Sequence, residues 1–125
     1  MIFGLGTDIV EVGRIAAVYA KFGERFVNRV FLPNEIAYCL AHNQPAPFLA
    51  VRFAAKEAIS KAFGTGIGAE LGWHDMEISR LNSGAPVVLL HGLGLTLLKK
   101  RNASGVLISM SHTDKFATAT AILCR

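Results

Sequence analysis

Disulfide chemistry has little to work with in this chain. Its 125 residues contain two cysteines, Cys39 and Cys124. Two unpatterned thiols exclude both a disulfide framework and a cysteine-based zinc site, so free thiols and a cytoplasmic protein are expected. Charge is also scarce, at 18% of residues against 52% hydrophobic, with a mean hydropathy of +0.41. Acidic residues are the rarer sign, nine against thirteen Lys and Arg, which leaves a net charge of +4. That balance favours an anionic partner. No run of basic residues resembles a nucleic-acid tail. No apolar run approaches the roughly 20 residues that cross a bilayer, so membrane insertion is not expected. Met1-Ile2-Phe3-Gly4 lacks the basic n-region of a signal peptide. There is no G-x-S-x-G elbow, which argues against a Ser-His hydrolase. Gly64-Thr65-Gly66 is not followed by Gly-Lys-Ser/Thr, so a Walker A loop is absent. Linkers, repeats and low-complexity segments are missing too, and residues 1–125 read as one domain. So apolar a chain has little interior in which to hide its surplus, which predicts a subunit interface.

The pattern that is present predicts an α+β fold, with helices early and antiparallel strands late. Ile2 to Val10 reads as a strand, Val12 to Phe22 as a helix, and Pro33-Asn34-Glu35 as the start of a second, short helix. A long helix begins near Pro47 and runs to Phe63. Trp73 to Leu81 alternates as a strand, Asn82 to Pro86 is a turn cluster, and Val87 to Leu90 is a short strand. Leu93 to Arg101 reads as a helix. Gly105 to His112 and Phe116 to Leu123 form a hairpin around Thr113-Asp114-Lys115.

The long helix carries most of the chemistry. On a helical wheel Phe48, Val51, Ala54, Ala55, Ala58, Ile59 and Ala62 share one side, and Arg52, Lys56, Glu57, Ser60 and Lys61 the other. Glu57 and Lys61 are one turn apart and lead into Gly64-Thr65-Gly66-Ile67-Gly68, where backbone can approach a ligand. A carboxylate, an amine and a glycine loop suit a metal-bound phosphate. Each piece has an ordinary alternative: Glu57/Lys61 as a surface ion pair, Gly64 as a helix cap. Phe53 interrupts the polar arc and either meets a partner or folds under a loop. Asp8 ends the first strand, where it either caps the next helix with Glu11 or ligates magnesium with Glu57. Arg14, Lys21 and Arg25 share a face if the first helix persists, either as a solvated stripe or as a dock for an acidic helix. His112, at the hairpin turn, is a candidate phosphate or proton group.

Taken together these segments resemble one family over nearly the whole chain: bacterial holo-[acyl-carrier-protein] synthase, the small trimeric type of 4′-phosphopantetheinyl transferase. The matching pieces are Gly4-Leu5-Gly6-Thr7-Asp8-Ile9-Val10-Glu11 with Arg14, and Arg52-Phe53-Ala54-Ala55-Lys56-Glu57-Ala58 with Lys61-Ala62-Phe63-Gly64-Thr65-Gly66-Ile67. Trp73 to Ile78, Gly84-Ala85-Pro86 and Ser111-His112 follow in order. Phe116 departs from the tyrosine expected in many relatives. The resemblance implies transfer of 4′-phosphopantetheine from coenzyme A to a serine of apo acyl carrier protein, in fatty acid biosynthesis. It implies Mg²⁺ on Asp8 and Glu57, with Asp8, Glu57 and Lys61 as catalytic residues and Glu57 as the base. Lys61, Gly64, Pro86, His112 and Thr113 would bind coenzyme A. Arg14, Lys21, Arg25 and Phe53 would meet the carrier protein, and the chain would form a homotrimer. Two rival readings are a non-catalytic coenzyme A or nucleotide binder, and a basic oligomeric nucleic-acid binder. The second leaves Asp8 and Glu57 unexplained.

Overall fold

Glycine at every second position is poor strand material unless something must come close. In the computed structural model, which describes all 125 residues, Ile2–Glu11 forms β1, and Gly4 and Gly6 face a helix across almost no gap. That helix, α4, spans Ala46–Phe63. A Cβ built on Gly4 would stand 1.9 Å from the carbonyl oxygen of Ala62, and one on Gly6 would stand 1.9 Å from that of Ala58. Strand and helix therefore touch backbone to backbone.

The remaining elements are α1 (Val12–Phe22), α2 (Glu24–Val30), α3 (Pro33–Leu40), a 3₁₀ turn at Trp73–Asp75, β2 (Met76–Arg80), β3 (Pro86–Leu90), α5 (Gly92–Lys100), β4 (Gly105–His112) and β5 (Phe116–Cys124). The mixed α+β class is as expected. The topology adds that the first strand joins the last hairpin, in a three-stranded antiparallel sheet of order β1-β5-β4. Register places Gly6 opposite Ala121, Asp8 opposite Ala119 and Val10 opposite Ala117. Ala117, Ala119 and Ala121 are buried, so small side chains line the middle of β5 on this face. The other face carries Leu5, Ile9, Leu107 and Phe116, which are 65%, 67%, 62% and 48% exposed, among threonines and serines. β2 and β3 form a separate antiparallel pair.

Three features go beyond the sequence reading. First, the polar arc of α4 is largely buried: Arg52, Lys56 and Ser60 are buried, and only Lys61 is exposed. Lys56 forms a fully buried ion pair with Glu35 at 2.7 Å and donates to the carbonyls of Val30 and Trp73. Glu35 in turn accepts from the N–H groups of Leu32 and Ile78. Such a pair is held by the bonds that saturate it rather than by attraction alone. It ties α4 to the α2–α3 junction and to β2. Second, α2 was not anticipated. Gly23, with φ 54°, breaks the chain between two helices, so Arg25 lies on α2 and does not continue the stripe of Arg14 and Lys21. Third, the residues from Trp73 begin as a 3₁₀ turn, and the strand starts at Met76.

The close approach gives a direct test. Gly6→Ala should lower stability by at least about 1–3 kcal/mol, because a methyl cannot enter without displacing β1 or α4. Gly13→Ala in α1, where nothing lies within 4 Å of the new Cβ, should be neutral or stabilising by roughly 0.4–1 kcal/mol. Urea denaturation midpoints of the two variants make the comparison.

Candidate active site

The alternation of β1 sends Gly4, Gly6 and Asp8 to the same face. Gly6 rests on Ala58, so Asp8, two residues on, reaches the stretch of α4 that carries Glu57 and Lys61. The Lys61 ammonium donates to Asp8 Oδ1 at 3.1 Å and to the carbonyl of Thr7 at 2.9 Å. The Asp8 side chain is 18% exposed and that of Lys61 51%. The alternative role for Asp8 is not taken up: α1 starts with Glu11 as its N-cap, and no side chain caps it.

Glu57 is partly buried beside this pair. Burial first, and the Asp8 carboxylate second, push its carboxyl above the ordinary range, while Lys61 pulls it down. Two carboxylates close enough to oppose each other's ionisation are hard oxygen donors suited to Mg²⁺, which takes one or two carboxylates and completes its shell with water and phosphate. No third His, Cys, Asp or Glu joins them in a metal-ligating group. A lysine cation already seated on Asp8 shows that the pair attracts positive charge. The donor set therefore fits magnesium. Cys39 is no rival nucleophile, because burial raises its thiol to about 11.

The residues expected to bind coenzyme A fall in different places. Gly64 caps α4 in the left-handed region at φ 80°, next to Lys61. Thr113 secures the hairpin turn, accepting from the N–H groups of Lys115 and Phe116. Pro86 and His112 line a cavity of about 190 Å³ with Tyr38, Phe48, Arg52 and Arg80. None of Asp8, Glu57, Lys61 or Gly64 lines it. Within one chain, then, the carboxylate pair and the His112 cavity are separate.

Sequence reasoning missed the charge in that cavity. Arg52 is buried, and its Nε has no hydrogen-bond partner. Its guanidinium lies 4.3 Å from the centre of the Tyr38 ring. Arg80 lies over the same ring at 5.1 Å and donates to the Tyr38 hydroxyl. Neither arginine has a carboxylate partner. A cavity with two unbalanced guanidinium groups and a histidine favours an anion. The readable signal was Arg80 at the end of a strand, just before the turn that carries Pro86.

Arg14, Lys21 and Arg25 are all exposed. Arg25 and Arg29 flank Phe22 and Phe26 around a groove of about 200 Å³ at the α1–α2 corner. Phe53 is half-buried against Trp73, ring centres 5.2 Å apart.

A small α+β fold that brings two carboxylates and a lysine together where β1 meets α4 matches one known class. The chain belongs to the 4′-phosphopantetheinyl transferase superfamily, whose family model matches residues 4–121. Among its relatives, holo-[acyl-carrier-protein] synthase of Chlamydia muridarum is 49% identical over 96% of this chain and 93% of the relative. That of Natranaerobius thermophilus is 46% identical over 98% of each. The crystal structure of the Neisseria meningitidis holo-[acyl-carrier-protein] synthase superposes with a TM-score of 0.92, 34% identity and full coverage of both chains. The Helicobacter pylori enzyme, crystallised in complex with coenzyme A, gives 0.85 and 34% over 95% of this chain and 98% of that one.

The raised Glu57 carboxyl has a signed consequence. An acid whose folded pKa is raised costs stability when ionised and nothing when protonated. Glu57→Gln should therefore raise the thermal midpoint at pH 7–8, measured with chelator present. The gain should fade as pH falls through the folded value and vanish below about pH 4, where carboxylates are protonated in both states.

Proposed function

We propose that this protein transfers the 4′-phosphopantetheine group of coenzyme A to a serine hydroxyl of apo acyl carrier protein, releasing adenosine 3′,5′-bisphosphate. The observation that carries the reading is the Asp8–Lys61–Glu57 constellation on a chain similar over nearly its full length to holo-[acyl-carrier-protein] synthases. A non-catalytic binder would have no use for two carboxylates kept close at an electrostatic cost.

Asp8 and Glu57 would hold Mg²⁺. Bound there, the ion supplies Lewis-acid polarisation of the coenzyme A pyrophosphate. Glu57 accepts the serine proton, directly or through water. The serine oxygen forms the new P–O bond as the pyrophosphate bridge breaks, and the electron pair leaves on the bisphosphate. Lys61 meets the charge that builds on the phosphates. Gly64 lets backbone approach the ligand. Arg52, Arg80, Pro86 and His112 provide an anion-attracting cavity for the nucleotide end. Arg14, Lys21, Arg25 and Phe53 form the face for an acidic carrier protein, where opposite charge speeds encounter. Free thiols and the absence of a membrane-crossing helix agree with a cytoplasmic setting.

The separation of the cavity from the carboxylate pair supports assembly. If coenzyme A spans both, they come from neighbouring subunits, and the apolar outer face of the β1-β5-β4 sheet is the surface to bury. The resemblance sets the number at three, and closed cyclic symmetry gives each subunit two neighbours.

Mass spectrometry of apo carrier protein after incubation with this protein, coenzyme A and Mg²⁺ should show the gain of one phosphopantetheine. Glu57→Ala should slow the transfer by roughly 10²–10⁴-fold, and Asp8→Ala should abolish it. The double variant should be no worse than the weaker single one, because residues that act as a unit are not additive. An unmodified carrier with wild-type protein ends the proposal.

Sedimentation equilibrium at micromolar concentration should give three times the 13.4 kDa chain mass. Leu107→Asp, on the outer sheet face and away from the carboxylates, should shift the protein to monomer and lower transfer with it. A fully active monomer would refute the shared site.

A further inference from the structure

Lys61 does more than stand near phosphate. Its ammonium donates to Asp8 Oδ1 and to the Thr7 carbonyl, and so is anchored by two acceptors on β1. Glu57, one turn before it on α4, experiences its charge as well. The three groups already form a small cluster in which one cation partly offsets two carboxylates that oppose each other. A divalent ion on Asp8 meets that cation directly. With Mg–O at about 2.1 Å and the Lys61 bond at 3.1 Å, both cations on Asp8 Oδ1 would stand no more than about 5 Å apart. Like charges at that distance repel strongly in a partly buried site.

We propose that Lys61 is a placeholder cation: it holds the Asp8–Glu57 pair in register through its bond to Asp8, and magnesium displaces it toward the phosphates. The inference rests on the magnesium seat proposed above. The chain permits the motion. Lys61 lies in the last turn of α4, its side chain is half exposed, and the Asp8 link is a partly exposed ion pair, a class worth little. The Thr7 carbonyl gives the ammonium a place from which it can swing without losing all its partners. Two roles then follow in sequence from one side chain. Before the metal, it prevents the carboxylates from driving each other apart. After the metal, it is released beside the glycine loop at Gly64, where coenzyme A phosphates are expected. Arg52 and Lys56 cannot do this, because both are buried and Lys56 is saturated by three acceptors.

The test uses the trimeric or monomeric protein as purified, without coenzyme A or carrier. Free Mn²⁺ is followed by electron paramagnetic resonance as protein is titrated with the ion. Lys61→Gln should bind Mn²⁺ roughly two- to fivefold more tightly than wild type, the size of a partly exposed ion pair removed from competition. A crystal structure with Mg²⁺ and no coenzyme A should show the Lys61 ammonium beyond hydrogen-bond reach of Asp8. Unchanged or weaker Mn²⁺ binding by Lys61→Gln, with Asp8→Asn clearly impaired, overturns the placeholder and leaves the two-carboxylate seat standing. So does a magnesium-bound structure in which Lys61 still bonds Asp8. Wild-type Mn²⁺ affinity in Asp8→Asn overturns the placeholder together with the seat.

Discussion

The contact of β1 with α4 is the constraint on which the site depends. Gly4 and Gly6 meet the carbonyl oxygens of Ala62 and Ala58 at a distance no side chain can share. Opposite them the neighbouring strand places Leu123 and Ala121. Strand and helix therefore lie as near as backbones can, and the two residues that follow Gly6 inherit the alignment. Asp8 faces the helix because Gly6 does, and Glu57 precedes the Ala58 on which Gly6 rests. A larger residue at position 6 would push β1 from α4 and separate the carboxylates as it cost stability. The geometry of the candidate site is thus fixed by residues with no functional groups of their own.

Electrostatics divides the charged residues of α4 into different tasks. Lys56 and Glu57 are neighbours in sequence, yet Lys56 is sealed among Glu35, Val30 and Trp73, and Glu57 opens toward Asp8. Burial depresses the Lys56 amine, and Glu35 opposes that effect. The pair works as a structural clamp: it sets the rotation of α4 about its axis, and that rotation points Glu57 and Lys61 at β1. Removing either partner would strand a buried charge, the costly way to break such a pair.

Much of this was legible in the sequence. Element types followed from periodicity, and the candidate carboxylates followed from motif order over the whole chain. What was not legible has specific causes. The helical wheel placed Lys56 and Arg52 on a polar arc and could not show that the arc is covered, because a wheel sees composition and not neighbours; α3 and β2 arrive from elsewhere in the chain to bury it. α2 was invisible because it has seven residues, three of them charged, and its start is a glycine in the left-handed region. The pairing of the first strand with the last hairpin is a long-range fact that no local pattern encodes. The anion-attracting cavity was missed for the same reason. Arg52, Tyr38 and Arg80 come from three elements, and only the fold stacks both arginines on one ring.

The two sheet faces explain why catalysis and assembly would be linked. Strand alternation forces the residues of β1 to serve opposite sides in turn: Asp8 faces α4, and Ile9 faces out. The same holds on β4, where His112 shares the inner face with Met110 and Leu107 points away. A one-residue slip in the register would exchange the two sets, carrying the carboxylate to the apolar face and isoleucine into the site. Burying the outer face against another subunit would therefore penalise the one-residue slips that turn Asp8 away from α4. On this reading the apolar surplus of the chain would be part of the catalytic design, since a surface that joined subunits would also fix which way Asp8 points.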